Sequence, residues 1–310
     1  MSLAVLALAV AGCGTQNADH SSGPEVVTDN TRADNPVARI PLGDLPTTPT
    51  NGLAKGLTLP LDAYTYSAKD RYVWQVAVQE QWRSCMQRYG FSAFAPPAPA
   101  ADSVSVQTEL GMGRRYGISD LATVQKYGYH IPDEVPESPR WEPAAGAEEA
   151  VFTGAGSEIE QGKYKGEAVP EGGCRGEASR MYPLPQTTEA EEAAARSFKE
   201  SQSDPRVVEA TAAWSTCMKG KGYTVEEPFK AADLIGSSLS AAEPSDEEIR
   251  IATADVTCKK ETNLIQTWHQ AEQEKQDAEI AKHQNTLSTV KKEKDAAVAK
   301  SIAAYDKGAE

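Results

Sequence analysis

Trp82-Arg83-Ser84-Cys85-Met86-Gln87-Arg88-Tyr89-Gly90-Phe91 returns later in the chain as Trp214-Ser215-Thr216-Cys217-Met218-Lys219-Gly220-Lys221-Gly222-Tyr223. The shared pattern is W-x-x-C-M-x-x-x-G-aromatic. Around the first copy, Trp74, Val78, Trp82, Cys85 and Tyr89 recur at steps of three and four, which is one face of a helix. Val207, Thr211, Trp214, Cys217 and Met218 do the same around the second. Asp204 before Pro205 supplies an N-cap and a proline at the first helical position. Gly90 and Gly222 stand where each helix must stop, because glycine takes the left-handed conformation most easily. Trp and Cys therefore share a buried face, and core packing is the expected role of the indoles.

A second pair of matching segments follows: Cys174-Arg175-Gly176-Glu177 and Cys258-Lys259-Lys260-Glu261. Each half carries one cysteine of each kind, in the same order. Four cysteines permit three pairings. The duplication selects Cys85–Cys174 and Cys217–Cys258, one bridge per half. Each would close a loop of tens of residues, worth about 4 kcal/mol on a chain-entropy basis.

The fifth cysteine has a different context. Residues 1–12 are apolar and small, long enough for a signal-peptide core and too short for a permanent membrane span. They end in Val10-Ala11-Gly12-Cys13. Small residues before a cysteine suit a lipoprotein signal peptidase, so Cys13 is the expected lipidation site. It ties the chain to the lipid bilayer at the extracytoplasmic face of the cell membrane. No Lys or Arg precedes the apolar run, and the true initiator is therefore expected a little upstream. With Cys13 acylated, the other four cysteines are an even set in an oxidising compartment. Residues 13–60 are poor in large apolar groups and read as a flexible tether.

Beyond the tether the remaining chain suffices for one sizeable domain or two small ones. The formal charge of −14 argues against nucleic acid as a partner and against an anionic bilayer docking on the folded body. We expect a mainly α fold: two disulfide-pinned helical halves, an irregular loop-rich insertion and a long C-terminal helix. The first half spans 61–186, with the insertion at 92–172, and the second spans 187–270. Within the insertion, Ser119 or Asp120 can cap a short helix running to Tyr127. Prolines at 132, 136, 139 and 143 then forbid long helices. Residues 144–173 hold seven glycines and read as loop. Ser245 with Glu248 makes a capping box, and from there to Lys307 there is neither Pro nor Gly. A break is expected near 253–262. Residues 271–310 read as a charged helix, solvated, projecting or weakly coiled-coil.

No assembled catalytic motif is present, and no cofactor or metal is implied. His269 with Glu272 or Gln273 is the nearest approach to a metal site, a weak one. Asp133 and Glu134, near Asp120 and several aromatic residues, could serve a wall hydrolase, which needs two carboxylates at fixed separation. With 45 acidic residues such a pair is expected by chance. The densest basic and aromatic cluster is Arg114, Arg115, Tyr116, Tyr127, Tyr129, His130 and Trp141. If the chain has a ligand surface, it is expected there, with an envelope protein or a wall glycan as partner.

The W-x-x-C-M-x-x-x-G-[FY] element, the run Arg114-Arg115-Tyr116-Gly117 leading to Tyr127-Gly128-Tyr129-His130, and Val169-Pro170-Glu171-Gly172-Gly173-Cys174 together resemble a family of uncharacterised lipoproteins from actinobacteria. The resemblance covers roughly residues 60 to 270 and implies export, not a mechanism. The residues favour a non-enzymatic binding or structural module of the cell envelope. The alternative is a wall-acting hydrolase.

Overall fold

The computed structural model describes residues 40–132 and 141–307, and the chain there is mainly helical. Cys13 with its signal sequence, and Asp133 with Glu134, lie outside the described residues.

Helix α1 (Ala68–Arg88) starts on a reciprocal cap. Ser67 Oγ accepts from Asp70 N at 3.1 Å, and Asp70 Oδ2 accepts from Ser67 N at 3.0 Å. After α1 come α2 (Asp102–Gly111), α3 (Leu121–Tyr127) and α4 (Ala147–Thr153). A two-stranded hairpin follows, β1 (Lys163–Tyr164) paired antiparallel with β2 (Glu167–Ala168). Then come α5 (Gly173–Met181), α6 (Thr188–Ser201), α7 (Pro205–Gly220), α8 (Asp246–Glu261), α9 (Leu264–Lys282) and α10 (Gln284–Lys307). Asp120 caps α3 as expected, with Oδ2 accepting from Thr123 N at 3.0 Å. Ser245 likewise caps α8, accepting from Glu248 N.

The duplicated segments end their helices identically. Gly90 and Gly222 have φ of +86° and +95°. Phe91 N donates to Met86 O at 3.1 Å, and Tyr223 N donates to Met218 O at 3.0 Å. Inside each pair, Gly90 N donates to Gln87 O and Gly222 N to Lys219 O. This double closure is the Schellman motif. It explains the fixed spacing from Met through Gly to the aromatic.

Both expected bridges form, Cys85–Cys174 joining α1 to α5 and Cys217–Cys258 joining α7 to α8. Each sits in its own apolar cluster. The first gathers Met86, Phe94, Val151, Phe152 and Tyr164. The second gathers Val207, Trp214, Met218, Leu264, Ile265 and Trp268.

Three expectations need correction. The insertion is loop-rich as expected, but besides the expected α3 it supplies α2, α4 and the hairpin, so 144–173 is not all loop, and it serves both halves. Phe152 and Trp141 join the first cluster, whereas Tyr116 lies in the second, and Val124 packs on Ala252 and Val256 of α8. Short helices between glycines carry too few residues to show a period. The tether is also shorter than expected. Leu45 is buried with Tyr72, Val73, Val104 and Tyr305, and Ala54 and Leu59 are buried too. A few leucines spaced by prolines suffice to hold a segment that has only short 3-10 turns and no α-helix of its own.

The third correction concerns the C-terminal helix, which does not project but packs along the body. The chain turns at Asn263, whose left-handed φ of +53° separates α8 from α9 just past the expected break. A second break at His283 separates α9 from α10. Helix α10 then lies along α1 with Leu287, Val290, Lys294, Ser301 and Tyr305 buried. Tyr305 meets Tyr72 edge-on at 6.1 Å. Lys294 Nζ donates to Ala63 O at 2.9 Å and to Thr65 O at 3.3 Å. Two of the five inward positions are polar, which made the stripe look solvated.

Candidate functional site

The basic and aromatic cluster singled out in the sequence is brought together, but it faces mostly inward. Arg115 Nε reaches both oxygens of Glu272 at 3.0 and 2.9 Å, and its Nη2 closes on Oε1. Glu272 is fully buried. Tyr116, 1 % exposed, donates its hydroxyl to Glu272 Oε2 at 2.9 Å. Gln276 Nε2 donates to the same carboxylate at 3.0 Å, and Gln276 Oε1 accepts from Leu61 N. Burial, reinforced by the Glu272 charge, pushes the Tyr116 hydroxyl well above its ordinary pKa, so it stays a donor.

A second polar knot lies one helix away. Asp255 and Lys259 form a fully buried i,i+4 pair on α8, 3.2 Å apart. Trp214 Nε1 donates to Asp255 Oδ1 at 2.9 Å, and the Tyr129 hydroxyl donates to Oδ2 at 3.3 Å. Lys259 Nζ also donates to Ile118 O at 3.0 Å. Desolvation moves both members toward neutrality: it raises the Asp255 pKa and lowers that of Lys259. Their mutual attraction opposes both shifts.

Glu248, at the start of α8, receives Tyr129 N at 2.8 Å and faces His130 Nδ1 at 2.7 Å. His130 Nε2 meets Ala241 O at 3.0 Å. Both ring nitrogens thus face acceptors, a pattern the doubly protonated ring satisfies. Trp141 belongs elsewhere, edge-on to Phe94 at 5.2 Å in the first cluster.

The expected ligand surface is therefore corrected. Arg115, Tyr116, Tyr129 and His130 bind the loop to α8 and α9, and Trp141 fills a core. The physical reason is that α8 and α9 carry buried carboxylates, which draw the cluster's cations and hydroxyls inward. The weak metal site at His269 does not assemble either. His269 Nε2 is engaged with Thr58 O at 2.7 Å, and Glu272 is taken. Cys217, Cys258 and Glu261 approach one another, but both sulfurs are in the bridge and offer no thiolate.

Arg114 is the exception. Half-buried, it donates from Nη2 to Tyr129 O at 3.0 Å and to His130 O at 3.3 Å. Among the described residues it has no carboxylate partner. It lines a cleft of about 260 Å³ between α2 and α3, walled also by Glu109, Asp120 and the Thr50–Asn51 strap. Thr50 N and Oγ1 donate to Glu109 Oε1 at 2.7 and 2.8 Å, and Leu53 N donates to Ser119 O at 3.0 Å. Thr50, Asn51 and Glu109 were missed in the sequence because they join Arg114 only through the fold. Comparison with protein-family models, curated proteins and solved structures finds no match to this chain.

Proposed function

We propose that the protein is a membrane-anchored extracytoplasmic lipoprotein, attached through Cys13, whose folded part is a binding module of the cell envelope. The observation that carries the reading is that both bridges together consume four of the five cysteines. Cys13, preceded by small residues, is the one left over, and paired cysteines suit an oxidising compartment. Among the described residues no helix is long and apolar enough to cross a membrane, so a lipid on Cys13 would supply the attachment. The binding role rests on the Arg114 cleft, a concave site with a few convergent polar groups.

Metabolic labelling with a palmitate analogue tests the anchor. Wild-type protein is expected to carry label and to fractionate with membranes, and Cys13→Ala to lose both. Unlabelled wild-type protein would overturn the reading. Because Tyr116 is buried, a photo-cross-linker belongs at exposed Ser105, on the cleft's rim. Saturable capture of a partner there supports a binding module. No observation on the described residues favours the hydrolase alternative, and Asp120 Oδ2 is occupied in capping α3. Clearing of purified wall by the protein, lost in Asp133→Asn or Glu134→Gln, would reinstate it.

A further inference from the structure

Arg114 is unusual in this chain. Three other basic groups of the polar seam, partly or fully buried, have acidic partners: Arg115 has Glu272, Lys259 has Asp255, and His130 has Glu248. Arg114 has two backbone carbonyls, and both are taken by one nitrogen. Its Nε and Nη1 hydrogens meet no acceptor among the described residues. A guanidinium drawn partly out of water without a counter-ion is costly. Since Nη2, shared by both two-point faces of a guanidinium, already holds the carbonyls, Nε and Nη1 are left to give a carboxylate single charge-assisted hydrogen bonds.

The cleft around it defines what else the ligand carries. Glu109 and Asp120 each commit one oxygen to the protein, Oε1 to the Thr50 strap and Oδ2 to the α3 cap. Each leaves a second oxygen without a protein donor among the described residues. Val106, Leu110, Ile118 and Val124 supply an apolar wall. The volume of about 260 Å³ lies just below the range of drug-sized pockets, roughly 300–1,000 Å³. A small molecule fits; a folded partner's side does not enter.

We propose that this cleft binds a small amino-acid-like carboxylate: its carboxylate on Arg114, its N–H donors toward Glu109 and Asp120, and a short apolar side chain on the Val106–Val124 wall. Free α-amino acids and the C-terminal residue of a peptide share this chemistry. The assignment deepens the binding-module reading and rests on it.

The experiment is ligand titration of the oxidised, folded protein, followed by thermal shift and by amide NMR. The probes are alanine, valine and leucine, their carboxamides, their N-acetyl derivatives, and alanyl-alanine. Saturable binding in the micromolar-to-millimolar range is expected for free carboxylates, with the carboxamides weaker by about tenfold or more. Stronger binding of alanyl-alanine and N-acetyl-alanine than of alanine identifies a peptide end, and the reverse order identifies free amino acids.

Arg114→Gln is expected to abolish the shift. Since that change also removes two carbonyl contacts, Ser105→Trp serves as the second variant. Ser105 is exposed at the rim, so tryptophan there blocks the cleft without entering the core. Helical circular dichroism confirms folding of both. Binding that survives both variants overturns the assignment, as does absence of binding by wild type at millimolar concentration. If the titrations fail while cross-linking at position 105 still captures a saturable partner, the ligand class falls and the binding module stands. If both fail, both fall.

Discussion

Removing the buried carboxylate at position 272 should destabilise the protein more than removing it together with Arg115. Glu272 is fully buried and accepts from Arg115, Tyr116 and Gln276. In Glu272→Gln the Arg115 guanidinium, 27 % exposed, loses its counter-ion and faces an amide instead. Breaking a buried pair from one side costs about 3–5 kcal/mol. Arg115→Met leaves the opposite fault, an uncompensated carboxylate, of similar cost. Its aliphatic replacement still packs on Phe198, over which the guanidinium now lies at 5.1 Å. In the double variant the amide introduced at position 272 keeps an oxygen for the Tyr116 hydroxyl, and no isolated charge remains. Its cost should be about 1–3 kcal/mol, the scale of a few altered hydrogen bonds. The cycle therefore predicts a coupling of at least about 3 kcal/mol. Urea unfolding with disulfides intact, followed by circular dichroism and tryptophan fluorescence, measures all four corners. A double variant costing the sum of its singles would refute the reasoning, as would either single costing under about 1 kcal/mol.

The two bridges close loops of 89 and 41 residues that do not overlap. Chain entropy assigns about 4.6 kcal/mol to Cys85–Cys174 and about 3.9 kcal/mol to Cys217–Cys258; paired Cys→Ala variants in denaturant titrations should show this order, and the quadruple variant should lose the sum. Cys217 is half-buried while the other three bridge cysteines are fully buried, so limiting reductant followed by alkylation should label Cys217 and Cys258 first. Gly173→Ala should be severe, because its Cβ would lie 2.5 Å from the Val151 and Phe152 carbonyls at a φ of +65°, whereas Gly43→Ala meets nothing within 4 Å; thermal denaturation should separate the two. The Arg206 guanidinium beside Asp204 holds that carboxyl down to about 2. A depressed carboxyl stabilises the fold above its unfolded value near 3.9, and the contribution disappears as pH falls through about 2. Carboxyl NMR should show Asp204 titrating there, and Arg206→Ala, which keeps only the backbone N–H donor, should raise it toward the ordinary range.

What the sequence revealed is what local spacing encodes. The Met–Gly–aromatic spacing of the two Schellman turns, the caps at Asp120, Asp204 and Ser245, and the cysteine pairing all depend on neighbours or on the duplication. The cluster at 114–130 was also visible as a concentration of unusual residues. Its direction was not, because that depends on Glu248, Asp255 and Glu272, more than a hundred residues further along. Each of those carboxylates sits in a helix dense with other acids, so nothing local marks it as buried. The charged reading of the C-terminal helix missed the burial of Lys294 for the same reason: its partners are the distant carbonyls of Ala63 and Thr65, and a carbonyl has no signature in sequence. Arg114 beside Arg115 is the sharpest case. Adjacent identical residues meet opposite environments, one a buried carboxylate and the other an open cleft.

That contrast traces back to how the two copies diverged. Both place a Trp, a bridge cysteine and a Met on one helix, and a glutamate three residues past the second cysteine. Arg88 meets Glu177 beside the first bridge, and Lys221 meets Glu261 beside the second. In the first copy, α5 begins at Gly173, immediately before Cys174. No helical turn precedes the bridge, and Trp82 packs edge-on against Phe152 at 5.2 Å with its Nε1 unpaired among the described residues. In the second copy, α8 begins at Asp246, roughly three turns ahead of Cys258. Those added turns carry Glu248 and Asp255, and Asp255 is what Trp214 Nε1 binds. The same turns anchor Tyr129 and His130, whose carbonyls in turn hold Arg114 at the cleft. The bridge is thus the shared frame, and the extra helix of the second copy is the source of the polar seam. Shortening α8 ahead of Ile251 should leave Cys217–Cys258 formed and loosen the Gly128–His130 end, which Glu248 holds, while Arg115 and Tyr116 stay on Glu272 of α9; hydrogen exchange at Tyr129 would report the change. Retained protection there would show that Glu248 is not what holds Tyr129.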